Sequence, residues 1–218
     1  MKLQAFALSL VVAVAGHAAP AAAAQWSVAA PAGWKDVSAS FAGHPEIQQV
    51  SKRLAVLGGS LEFARYESTT GDNLLVVFIR MTPAGKTPTA DVAVPSYEAG
   101  VHGTEPEGTY HKQVEANTLV ADVTGTVPSG PVHIRRLTGM NASELLSVSA
   151  TCQGAAVDCD PALQSLAIDR TGFLALSARA ISGGDKPIAY LAGRIAGGVV
   201  IVGLIGWFLL RRRKQPDR

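Results

Sequence analysis

The chain has 218 residues, 48% of them hydrophobic and 17% charged, which excludes disorder along its whole length and allows one ordinary domain with segments to spare. The net charge of +2 conceals an asymmetry: residues 25–187 carry 12 basic against 16 acidic side chains, a net of −4, whereas the last eight residues, RRRKQPDR, carry +4. A central segment of that sign excludes a uniformly basic nucleic-acid binder.

The N-terminus has the plan of a signal peptide: Lys2, a mostly apolar run over residues 5–15, and a small-residue stretch ending Ala22-Ala23-Ala24. Eleven helical residues reach only about 16 Å, short of a hydrocarbon layer of about 30 Å. Residues 1–24 are therefore expected to be removed, with Gln25 as the new N-terminus. No cysteine stands near this point, so a lipoprotein anchor is excluded.

Residues 25–181 then form the candidate domain. Residues 26–30 read as a strand ended by Pro31-Ala32-Gly33-Trp34. Pro45 suits a first helical position, and Ile47, Val50, Leu54 and Leu57 recur on one helical face until Gly58-Gly59. Leu61, Phe63 and Tyr66 begin a strand, Thr70-Gly71-Asp72-Asn73 turns the chain, and the near-continuous apolar run 74–81 predicts a buried strand antiparallel to it. Residues 83–88 read as a loop and 95–102 as a short helix. Further strands are predicted over 119–127, 132–137 and 145–151, with turns at Pro128-Ser129-Gly130-Pro131 and Met140-Asn141-Ala142. Asp160-Pro161 suggests an N-cap and first turn of a helix running to about residue 168, and 173–176 a last strand. Hairpin strands with few helices indicate an α+β fold, an antiparallel sheet flanked by helices.

Beyond Ser182-Gly183-Gly184-Asp185-Lys186-Pro187, which reads as a short stalk, residues 188–210 are apolar except for Arg194. Their 23 residues reach about 34 Å as a helix, enough to span a bilayer with tilt. Arg194 is placed to snorkel, Tyr190 and Trp207 to sit at the interfaces, and Arg211-Arg212-Arg213-Lys214 to stop transfer and keep residues 211–218 in the cytoplasm. The expected topology is single-pass type I, with the domain on the extracytoplasmic, periplasmic side of the cell membrane. Gly193 and Gly197 have the spacing through which two such helices self-associate.

The Pro31-Ala32-Gly33-Trp34 motif, the hairpin strands over 61–81 and the later strands over 120–125 and 131–137 before a final helix resemble the PsbP-like fold family. The resemblance covers most of residues 26–176, with the helix over 45–57 as an insertion. It implies the antiparallel α+β architecture and carries over no functional residue, because that family shares a fold rather than a site.

Cys152 and Cys159, the only cysteines, stand between a predicted strand and a predicted helix, and in an exported domain that spacing predicts a disulfide. Closing so short a loop stabilises by roughly 2.5 kcal/mol on the chain-entropy account. A redox pair would want C-x-x-C, and a metal site more ligands than two. His44, His102, His111 and His133 show no ligand spacing and read as loop or surface residues. Asp158 and Asp160 lack the partners of a calcium loop. There is no G-x-S-x-G elbow, and Gly58-Gly59-Ser60 lacks the P-loop lysine. Arg135 and Arg136, adjacent on a strand, must point to opposite faces, one exposed and the other paired or at an edge. Asn141-Ala142-Ser143 fits a glycosylation sequon, relevant only in a eukaryotic source.

These readings assign no catalytic, cofactor-binding or metal residue. They point to a non-enzymatic domain, held near the membrane by its stalk, that binds a membrane or periplasmic protein. Two alternatives stay open: an envelope hydrolase whose acid and base come from Glu46, Glu62, Glu67, Glu105 or Glu107 with the histidines, and a surface protein processed at its tail. Against the tail reading, LPxTG, Pro-Glu-Pro and a tail cysteine are all missing.

Overall fold

A computed structural model describes residues 25–82 and 88–177. The expected signal peptide and stalk, most of the loop over 83–88, the apolar segment 188–210 and the basic tail lie outside these residues. Among the described residues no helix is long and apolar enough to cross a membrane.

The most apolar stretches of the domain form its centre. β4 (Asn73–Met81) and β8 (Leu145–Gln153) are buried along almost their whole length, as strands covered on both faces must be. They pair antiparallel from Asn73↔Gln153 to Met81↔Leu145. On the β4 side follow β3 (Gly59–Glu67) and the short β2 (Lys35–Asp36); on the β8 side follow β7 (Gly130–Met140), β6 (Thr118–Val127) and β5 (Gly108–Glu115). The seven strands run β2-β3-β4-β8-β7-β6-β5, each pair antiparallel. A second ribbon joins β1 (Trp26–Ser27) to β9 (Ala167–Ile168).

Strand alternation divides the core between the two faces. Leu75, Val77, Ile79 and Met81 pack under α1 (Ser38–Ala42), α2 (Pro45–Val56) and α3 (Ala90–His102), which contribute Phe41, Leu54, Val94 and Tyr97. On the other face Leu74, Val76, Phe78 and Val148 pack against α4 (Ala156–Gln164), the β1–β9 ribbon and Phe173. This is the expected α+β architecture, a large antiparallel sheet with helices on both sides.

The structure corrects several element boundaries. Asp160 is not an N-cap: α4 opens at Ala156 with Ala155 extended before it, and Pro161 stands inside the helix. The bridge between Cys152 and Cys159, with Cα atoms 5.6 Å apart, holds the helix against the end of β8, so the chain must turn at once and coil before Asp160. The helix also stops earlier, because Ala167 and Ile168 pair with β1. Residues 173–176 form no strand; Phe173 and Leu176 are buried as single side chains. Phe173 lies so close over β7 that a Cβ at Gly139 would stand 2.0 Å from its ring, which only glycine avoids. The first strand is shorter than expected, and α3 starts at Ala90, ahead of Pro95. β2, α1 and β5 were not foreseen.

Candidate functional site: a buried ion network and an uncovered sheet face

Arg136 of β7 points into the face covered by α3, whereas Arg135 points out of the other, as adjacent strand residues must. Arg136 is only 1% exposed, and so is Glu98 of α3. The guanidinium grips this carboxylate with two hydrogen bonds, Nε to Oε2 at 2.7 Å and Nη2 to Oε1 at 2.5 Å. Nη1 donates to Oε1 of Glu105, in the loop after α3, at 2.6 Å. Tyr110 of β5 donates its hydroxyl to Glu98 at 2.9 Å. His102, the last residue of α3, stacks on the Tyr110 ring at 3.8 Å and sets Nδ1 3.2 Å from Oε2 of Glu105.

Electrostatics fix the protonation states here. Burial pushes the Glu98 carboxyl upward, but the Arg136 charge and the hydrogen bonds of Arg136 and Tyr110 outweigh it and hold the pKa below the ordinary carboxylate value. Burial favours a neutral Arg136, yet Glu98 and Glu105 more than compensate, leaving the guanidinium still more firmly protonated. Tyr97, next to Glu98, is raised to about 12, chiefly by burial. A carboxylate pinned in its ionised form makes a poor general acid, and a neutral tyrosine at this site donates only hydrogen bonds. The network therefore locks α3 and the following loop to the sheet.

Beside it lies a small cleft lined by Val77, Ile79, Tyr97, Val101, Arg136 and Ser149, with room for about one water molecule. The Ser149 Oγ is buried in it without a hydrogen-bond partner among the described residues.

The remaining candidates are dispersed. Glu62 accepts from the Trp26 indole at 3.3 Å, Glu67 pairs with Arg65 at 2.8 Å, Glu107 is exposed, and Glu46 lies in α2. His44 precedes α2 with its ring 5.8 Å from that of Phe41. His111 and His133 are on strands β5 and β7 rather than in loops. Asp158 and Asp160 are exposed along α4. Among the described residues no three His, Cys, Asp or Glu side chains gather as a metal would need. Asn141 closes the β7–β8 turn, accepting from the backbone N–H groups of Ser143 and Glu144 at 2.9 and 2.7 Å.

A second feature is the sheet's outward face beyond α4. α4 packs on β7 and β8; on the same face Thr118 and Val120 of β6 are buried, but β6 from Asp122 onward and the outer part of β7 stay accessible. It presents Asp122, Thr124, Thr126, His133 and Arg135. Arg135 and Asp122 are cross-strand partners at 3.0 Å, and both are partly exposed. This surface is flat, polar and carries both signs of charge.

Sequence reasoning missed Glu98 altogether, although a signal was there. Glu98 stands four residues after Val94 and three before Val101, on the buried stripe of its helix. Arg136 likewise has the parity of Ile134 and Thr138. A charge on each of two apolar faces signals a buried pair.

No protein-family model, curated protein or solved structure matches the chain.

Proposed function

We propose that the domain is a non-catalytic binding module of the cell envelope, a PsbP-like α+β domain tethered by residues 188–210 as a single-pass type I membrane protein. Its partner is another membrane or periplasmic protein, which docks on the outward face of β6 and β7. The reading is carried by that face: an ordered, accessible sheet surface with Thr124, His133 and the Arg135–Asp122 pair in register. Mixed polar groups on a rigid strand scaffold provide directional hydrogen bonds and a defined charge pattern without disordered loops to fix. The dedication of Arg136, Glu98 and Glu105 to one another agrees with a structural use of the buried charges.

Two sequence features support the location. The signal-peptide plan and stop-transfer run put the domain outside the cytoplasm, and the six-residue stalk, 182–187, confines it near the bilayer. Confinement raises its effective concentration for membrane neighbours, and a net of −4 over residues 25–187 disfavours anionic lipid itself as the target. The test is affinity capture of the full chain from cross-linked membranes. The specific partner recovered with the native protein should fall about ten-fold with Thr124→Arg and be unaffected by Val157→Arg on α4. Equal recovery from both variants, or substrate turnover by the purified protein, would overturn the reading.

A further inference from the structure

The two edges of the seven-stranded sheet differ. β2 is two residues long, and so short an edge offers little to pair with. β5 is eight residues long and pairs with β6 in unbroken register from Gly108↔Gly125 to Glu115↔Thr118, with neither a bulge nor a proline. Its other side carries no strand among the described residues. Natural edges of this length are ordinarily blunted or covered.

Backbone geometry identifies which groups face that open side. Ala116 and Asn117, at φ 44° and 64°, form the two-residue primed turn of a tight hairpin. The flanking pair Glu115–Thr118 then exchanges both backbone hydrogen bonds, and the alternation continues down the ladder. Val114, Lys112 and Tyr110 are thereby left with their N–H and C=O groups turned outward.

We propose that β5 pairs with β5 of a second copy of this chain, antiparallel about a two-fold axis at Gln113, making one sheet across two subunits. A two-fold perpendicular to the sheet keeps the same face on the same side, so each residue meets one of its own parity. Centred on Gln113, the register puts Lys112 opposite the partner's Val114, both with outward backbone groups, and repeats this pair by symmetry. It also sets His111 opposite the partner's Glu115. The Glu115 carboxylate already accepts from Gln113 through Oε1 at 2.6 Å, which leaves Oε2 for the imidazole N–H. Centring on Lys112 would oppose two lysines, and centring on His111 would oppose Glu107 to the partner's Glu115; like charges directly opposite destabilise a sheet. Centring on Tyr110 would bring Pro106, which has no N–H, opposite the partner's Val114. Among the centres from Tyr110 to Gln113, charge complementarity and the need for a backbone donor favour Gln113. The contact runs along the β5 edge and borders the β6–β7 face, His111 being the cross-strand partner of Asp122, but it does not involve the glycines at 193 and 197.

The test uses the full chain purified in detergent, carrying Gln113→Cys. Cys152 and Cys159 are bonded and fully buried, so the introduced thiol is the one free to react. Residues at the two-fold of such a non-hydrogen-bonded pair have Cα atoms about 4.5 Å apart, within disulfide range. Mild oxidation should yield a linked dimer about ten-fold faster from Gln113→Cys than from His111→Cys. Adding Glu115→Lys to Gln113→Cys should slow it by a similar factor, whereas adding Glu115→Gln, which keeps an acceptor for His111, should slow it much less. Association through residues 188–210 alone would not respond to these charges. No dimer from Gln113→Cys, equal linking from His111→Cys, or equal slowing by Glu115→Lys and Glu115→Gln would each overturn the proposal.

Discussion

Arg136 is the side chain whose burial depends most on its neighbours. With its carboxylates in place every part of the network is hydrogen-bonded; without the guanidinium two buried acidic groups face each other across an apolar interior. Breaking such a pair from one side costs about 3–5 kcal/mol. Arg136→Met should therefore lower unfolding stability by about that much in a denaturant titration, and adding Glu98→Leu should recover part of the loss by removing one uncompensated acid. The same pair sets an acid limit. Because the folded pKa of Glu98 lies below its unfolded value, the associated stability is present above the ordinary carboxylate range. It is lost as pH falls through the folded value. Melting temperature measured from pH 7 downward should drop more steeply for the native protein than for Glu98→Gln. Parallel curves would mean that Glu98 makes no such contribution. A different kind of constraint acts at Gly139, where any Cβ meets the Phe173 ring. Gly139→Ala should destabilise by about 1–3 kcal/mol through overpacking, again read by denaturant titration.

At the scale of elements, the sequence signals were strongest where burial was most one-sided. The run over 74–81 announced a buried strand because a strand covered on both faces needs no polar residue, and β4 lies third of seven in the sheet. The helix over Ile47, Val50, Leu54 and Leu57 was equally plain from its spacing. β5 was invisible for the opposite reason: Thr-Tyr-His-Lys-Gln-Val is the composition of an edge strand, paired to β6 and with only Tyr110 and Val114 packed partly against the core. α4 shows a local rule overruled by a long-range bond. Asp160-Pro161 has the chemistry of a helix start, yet the disulfide at Cys159 commits the chain to coil before that point. Replacing both cysteines by alanine should cost roughly 2.5 kcal/mol on the chain-entropy account and loosen α4 first. Hydrogen exchange should show α4 losing protection well before β8 does.

At the scale of the whole molecule, a disulfide-braced α+β domain is joined to a proposed membrane tether. A reporter fused after Arg218 should be active only in its cytoplasmic form, and activity only outside the cytoplasm would reverse the topology. The buried charges are engaged in holding α3 to the sheet, and the proposed docking surface is the outward face of β6 and β7. Site-specific photo-crosslinking tests this most directly: a photoreactive residue is placed in turn at Thr124, at His133 and at Val157 of the full chain in its native membrane. The account predicts one shared protein adduct from positions 124 and 133 and none of that mass from 157. An adduct from 157 alone, or none from either sheet position, would contradict it.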